Sequence, residues 1–157
     1  MAERTAKKKL EPGIGYKVRL LSQLMSRRFQ TELLPYGLTP FHFFVLRCLW
    51  EQDGLSVSSI GEKLMELGGT MTGVIDRMEE RELLVRKRDR ADRRVWRVYL
   101  TDKGRALEDE LPELVLKVRK ELIRGVDKKE YETFNRVLDQ LIANAAAWQE
   151  EDAKGSG

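Results

Sequence analysis

The chain has 157 residues, 41% hydrophobic and 35% charged, with a formal net charge of +3 and a single cysteine, Cys48. This is the composition of one soluble globular domain, too rich in apolar residues for a disordered chain and unable to form an internal disulfide. No apolar run approaches a membrane span or follows the basic N-terminus as in a signal peptide, so the expectation is a cytoplasmic protein.

Residues 1–12 read as a loose polar arm. From Ile14, the residues Ile14, Val18, Leu21, Met25, Phe29 and Leu33 recur every three or four positions, predicting a helix over 14–34 with a second stripe at Tyr16, Leu20 and Leu24. Pro35-Tyr36-Gly37 ends it. Thr39 as cap and Pro40 in the first turn start a second helix, reaching about Trp50, with Phe44, Val45, Leu46 and Leu49 as core. After Asp53-Gly54, Ser56 caps a third helix carrying Ile60, Leu64 and Met65, which Gly68-Gly69 ends. Thr70 then opens a fourth helix, with Met71, Val74, Ile75 and Met78 spaced for one buried face. Two short helices around a glycine-bearing turn form the helix-turn-helix pattern.

After Leu83 the period changes. Residues 84–88 and 95–100 are rich in β-branched and aromatic side chains and read as two strands, joined by Asp89-Arg90-Ala91-Asp92-Arg93-Arg94. Without a glycine, that connection is a protruding loop rather than a two-residue turn. Thr101 caps a long helix in which Pro112 predicts a bend and which Gly125 ends. Asp127 and Glu130 form a capping-box pattern for a last helix, with Tyr131, Phe134, Val137, Leu138, Leu141 and Ile142 on one side. Residues 150–157 read as a polar tail.

Charge is uneven along this order. Residues 86–97 hold seven basic groups against two acidic ones, a net +5, while residues 106–157 carry a net −4. A focused basic patch is the footprint of a polyanion partner. In a helix-turn-helix the second helix enters the DNA major groove with its first turn toward base edges. Here that turn is Gly69-Thr70-Met71-Thr72-Gly73, with hydroxyls for phosphates or bases, a methyl for thymine, and glycines that permit close approach. Arg77 lies one to two turns further on, and Ser58 on the first motif helix joins the same set. As alternatives, Thr70 is only a helix cap, Gly73 a packing accommodation and Arg77 a solvated side chain. Arg90, Arg93 and Arg94 sit at the loop tip, where arginine inserts into a narrow minor groove. Asp92 within this basic loop makes sense as a carboxylate that orients an arginine by paired hydrogen bonds.

From Leu38 to Leu107 the chain resembles the MarR family. The resemblance is carried by Leu38-Thr39-Pro40, by Ile60-Gly61-Glu62-Lys63-Leu64, by the run Gly69 to Glu79, by Asp89-Arg90-Ala91-Asp92-Arg93-Arg94, and by Leu100-Thr101-Asp102-Lys103-Gly104. Arg90 stands where the family often has proline, and Glu82 where it often has glycine. The resemblance implies one domain, mainly α with a small β-hairpin wing. A winged helix-turn-helix over 38–100, with its wing at 84–100, is flanked by dimerisation helices at 14–34 and 102–148. It also implies a homodimer reading a pseudo-palindrome in double-stranded DNA, with half-sites about ten base pairs apart. Thr70, Met71, Thr72 and Arg77 match recognition-helix positions, Arg94 the wing arginine of the minor groove, and Asp92 the acid that supports it. Asp76 is a candidate partner for a wing arginine that sets the wing angle.

Many members of the family respond to small aromatic or anionic compounds in a crevice beside the dimer helices. Lys17, Arg19, Phe41 and His42 are the candidate contacts here, and His42 is also able to titrate near neutral pH; the alternative for His42 is a satisfied helix-start residue. Cys48 reads as an inert packed thiol. With no catalytic set, no glycine-rich phosphate loop and no Cys/His cluster, the expectation is no enzyme, no metal and no cofactor. The function expected is a ligand-responsive repressor. The rivals are a winged helix that binds another protein and a non-specific architectural DNA binder.

Overall fold

The computed structural model describes residues 13–66 and 68–155. The expected arm over 1–12 and the last two residues of the expected tail lie outside the described residues. The chain divides after Val118 into two units.

The first unit begins with α1 (Ile14–Leu33) and a single 3-10 turn at Leu34–Tyr36. Of the predicted stripe only Phe29 and Leu33 are buried, whereas Ile14, Val18, Leu21 and Met25 are exposed. α2 (Pro40–Glu51) starts on a full capping box: the Thr39 hydroxyl accepts the His42 N–H at 3.2 Å, and His42 Nδ1 accepts the Thr39 N–H at 3.3 Å. Phe44, expected in the core, is exposed. Its neighbour Phe43 is buried instead and packs edge-on against Phe29, with ring centroids 5.0 Å apart. Adjacent helical residues point about 100° apart, so a run of two phenylalanines does not by itself tell which faces inward.

α3 (Val57–Leu64) is capped by Ser56, whose hydroxyl accepts the Ser59 N–H at 3.0 Å. It stops at Met65, which adopts the left-handed conformation at φ 54°. Gly68-Gly69 therefore do not end α3; they open α4 (Gly68–Glu80), and Thr70 lies within its first turn rather than capping it. A non-glycine residue rarely adopts positive φ, so the glycine pair was the stronger stop signal in the sequence.

Three antiparallel strands, β1 (Leu55–Ser56), β2 (Leu84–Arg88) and β3 (Trp96–Leu100), form a sheet in the order β1-β3-β2. The expected hairpin pairs Leu84 with Leu100 and Arg88 with Trp96. β1 is an addition to it, two residues long and too short to show a period of two. α5 (Asp102–Ala106) is capped by Thr101, whose hydroxyl accepts the Gly104 N–H at 3.1 Å. A Cβ on Gly104 would stand 2.0 Å from the Leu83 carbonyl oxygen, so only glycine lets α5 sit on the start of β2. The long helix expected from Thr101 is two helices. α6 (Leu111–Leu122) begins anew, and Pro112 occupies its first turn, where a missing N–H costs nothing, instead of bending a continuous helix.

The core of this unit gathers Leu33, Leu46, Leu49, Ile60, Met71, Ile75, Met78, Leu84, Val98 and Leu111, all with essentially no exposed surface. Cys48 is buried beside them, and burial pushes its thiol pKa up, as in an unreactive packed thiol.

The second unit holds the end of α6 and α7 (Lys128–Gly155). Asp127 Oδ1 accepts the Lys129 N–H at 2.8 Å at the start of α7. α7 runs well into the expected tail, because the alanine, glutamine and acidic residues from Ala145 onward favour helix and no breaker intervenes before Gly155. Phe134, Val137, Leu141 and Ile142 of α7 are exposed. No helix among the described residues is long and apolar enough to cross a membrane.

Candidate nucleic-acid interface

α4 has two unlike faces. Met71, Val74, Ile75 and Met78 are buried at helical spacing, while Gly69, Thr70, Thr72 and Arg77 are exposed. This corrects one expectation: Met71 has no exposed surface, so its methyl belongs to the core and is not available to a thymine. Thr72 Oγ1 donates to the Gly68 carbonyl at 3.1 Å. A Cβ added at Gly69 or Gly73 meets nothing within 4 Å, so packing within the chain does not require glycine at either position.

The start of α3, the exposed side of α4 and the hairpin enclose a groove of about 380 Å³, lined by Ser56, Val57, Ser58, Thr72, Arg86, Arg94, Val95 and Trp96. The structure thus brings together residues that the sequence separates by nearly forty positions. Ser58 is exposed there, its hydroxyl 2.9 Å from that of Ser56.

The loop tip is organised by two carboxylates. Asp92 Oδ1 and Oδ2 accept Nε and Nη2 of Arg94 at 3.1 and 3.2 Å, the paired geometry expected of it, and Oδ1 also accepts the Arg94 backbone N–H at 3.0 Å. The Arg94 guanidinium beside it lowers the Asp92 pKa. Arg94 is 91% exposed even so, and Arg90 and Arg93 are exposed too.

The sequence alone assigns Asp89 no role, yet its side chain accepts as many bonds as that of Asp92. Its Oδ1 accepts the N–H groups of Ala91 at 2.7 Å and Asp92 at 2.9 Å, and its Oδ2 pairs with Arg97. Arg97 Nη1 in turn donates to the Gly54 carbonyl at 3.0 Å. The Arg97 guanidinium, and then the two backbone N–H groups, hold Asp89 down to about 2. An aspartate accepting N–H groups two and three residues ahead is an Asx turn, so the position of Asp89 before a glycine-free loop was a usable signal.

Asp76 does meet an arginine of the wing, but in the strand rather than at the tip. Arg86 Nη1 lies 2.6 Å from Asp76 Oδ1 and Nη2 lies 2.8 Å from Glu79 Oε2. The Arg86 backbone N–H also donates to Glu79 Oε1 at 2.9 Å, which lowers the Glu79 pKa. Arg86 and Glu79 tie α4 to β2, and nothing local in the sequence announced them.

The proposed effector contacts are less concentrated. Lys17 and Arg19 lie on the exposed first half of α1, Phe41 is half-buried against the core, and His42 is buried. Burial pushes the His42 pKa down, so the ring is neutral at neutral pH with Nδ1 engaged in the Thr39 cap, as in the helix-start alternative. As a whole, the groove and tip join exposed arginines and serine and threonine hydroxyls with the apolar surface of Val57, Val95 and Trp96, an arrangement suited to phosphates and base edges.

The MarR family model matches residues 38–96. The HTH-type transcriptional regulator MhqR of Bacillus subtilis is 33% identical over 111 residues, which cover 70% of this chain and 76% of MhqR. The HTH-type transcriptional regulator TtmR of Methylorubrum extorquens is 35% identical over 102 residues, covering 65% of this chain and 52% of TtmR, so the match spans about half of that relative's length. Among solved structures, Bordetella bronchiseptica BpsR, whose DNA binding is regulated by 6-hydroxynicotinic acid, superimposes with a TM-score of 0.75 at 29% identity, covering 82% of this chain and 97% of BpsR.

Proposed function

Because the chain belongs to the MarR family of helix-turn-helix transcriptional regulators, we propose that it binds double-stranded DNA in a sequence-specific way as a homodimer and acts as a ligand-responsive repressor. The observation that carries this reading is the groove in which Ser58, Thr72 and Arg94 converge, with Arg94 held by Asp92 and almost fully exposed. In it, Gly69, Thr70, Thr72 and Arg77 face the major groove, Arg90 and Arg93 meet phosphates, and Arg94 enters the minor groove. A wing that docked on another protein would have no use for three tip arginines. The dimer is supported by the exposed apolar residues of α1 and α7 in the single chain, of a kind that solvent does not favour.

The ligand response is supported by the likeness to BpsR. Its effector is a small aromatic or anionic molecule, with Lys17, Arg19, Phe41 and His42 as contacts. Selection of bound duplexes from a random pool at two salt concentrations tests the central reading. Enrichment of a palindrome with half-sites about one helical turn apart is the expected result. A steep salt dependence without an enriched sequence would make the protein an architectural binder, and no binding at low salt would sink the DNA reading.

A further inference from the structure

We infer that Arg88 and Trp96 form a stacked clamp that positions the wing tip on the duplex, an inference that rests on the DNA-binding reading above. The two residues face each other in the β2–β3 register pair next to the loop. The Arg88 guanidinium lies over the indole, 3.9 Å from the ring centroid, well within cation–π range. From that position its Nη1 donates to the Arg93 carbonyl at 2.7 Å. One side chain thus joins the neck of the hairpin to the residue just before Arg94.

Apart from this stack, the tip is held by backbone bonds and by the polar contacts of Asp89 and Asp92. Residues 89–95 include no buried side chain, so apolar packing does not fix their position. Trp96 is 42% exposed and lines the same groove as Ser58, Thr72 and Arg94, which places the clamp at the junction of wing and recognition helix. A guanidinium stacked on an indole with a donor committed to the backbone is turned into the loop, not outward toward a phosphate. The planar fork is what allows both contacts at once, and a lysine ammonium would make only one of them well. Arg88 is therefore a positioning residue, acting through Arg93 and Arg94, and differs in kind from the exposed tip arginines Arg90, Arg93 and Arg94.

The test is titration of a labelled duplex, carrying the sequence enriched from the random pool, with variants of the full chain. Trp96→Leu keeps the apolar bulk and removes the π face; it and Arg88→Ala should each weaken binding about tenfold, within what an exposed or partly desolvated cation–π contact supplies. Trp96→Phe and the unmodified protein should bind alike within about threefold. Added to Arg94→Ala, Trp96→Leu should have little further effect, because the clamp acts through that arginine. All variants should melt with the unmodified protein by circular dichroism. Trp96→Leu binding at full strength, or weakening binding equally with and without Arg94, overturns the clamp alone. So does Arg88→Ala reducing the salt slope while Trp96→Leu leaves it unchanged, which would make Arg88 a phosphate contact. Absence of duplex binding by the unmodified protein overturns the functional reading, and the clamp with it.

Discussion

α4 and the wing present hydroxyls and cations to the same groove, yet different forces hold them. α4 is anchored by Met71, Val74, Ile75 and Met78, all buried. The loop tip is anchored by Asp89, Asp92 and the stack of Arg88 on Trp96. Apolar burial is worth about 1.5–3 kcal/mol per large side chain and is indifferent to pH and moderate salt. Exposed ion pairs are worth about 0–1 kcal/mol each and are screened by salt. The comparison teaches that α4 is the fixed part of the candidate interface and the wing the adjustable part.

The largest effect should come from breaking the fixed part. Ile75→Ala, at a fully buried position, should cost about 2–5 kcal/mol in urea unfolding with an unchanged m-value. A loss well under about 1 kcal/mol would mean that α4 does not depend on this packing. The adjustable part should respond in the opposite way: Arg94→Ala should weaken duplex binding about 10–100-fold while leaving the unfolding midpoint unmoved, because its side chain is so exposed. A binding loss matched by a stability loss would erase the distinction between the two regions.

Gly73→Ala sharpens it further. Within the chain an added methyl meets nothing, so the helix should gain about 0.5–1 kcal/mol from the better former. If the duplex approaches closely at this point, binding should fall in the same variant, and a protein both more stable and equally tight would refute the close approach.

The smallest effects are those of pH. The folded-state pKa of Asp89 is held down to about 2 from an ordinary 3.8, so its contribution to wing order is complete above the ordinary value and is lost as pH falls through about 2. The protection of the Ala91 and Asp92 amides, taken relative to their intrinsic exchange rates at each pH, should therefore hold at pH 5 and fall toward pH 2, a transition absent in Asp89→Asn. His42 is also lowered, by burial, from an ordinary 6.5. Its neutral form belongs to the folded state, so stability present above pH 6.5 should decline on acidification. A lower midpoint at pH 5.5 than at pH 7.5, with a weaker dependence on pH in His42→Asn, is the expected outcome.

Much of the architecture was legible because its causes are local. The caps at Thr39, Ser56 and Thr101 bond to N–H groups three residues away, and the structure shows all three. The buried face of α4 follows from spacing alone, and the paired contact of Asp92 with Arg94 spans two residues. The misreadings arose where two local signals competed or where none existed: Phe43 against Phe44, Met65 against Gly68-Gly69, Pro112 as a first-turn residue rather than a kink, and Met71, offered both to the core and to DNA.

Sequence by itself determined the caps at Thr39, Ser56 and Thr101, the helix-turn-helix pair, the hairpin and the cationic loop, since each depends on periodicity, capping or charge within a few residues. Only the tertiary structure decided that β1 joins the hairpin, that Arg86 bridges Asp76 and Glu79, that Arg97 links Asp89 to the Gly54 carbonyl, and that Ser58 and Thr72 share a groove with Arg94. The partners in those contacts lie seven to more than forty residues apart. No local pattern records such a separation; it is settled when the buried faces of α2, α3 and α4 close against the sheet and fix what remains on the outside.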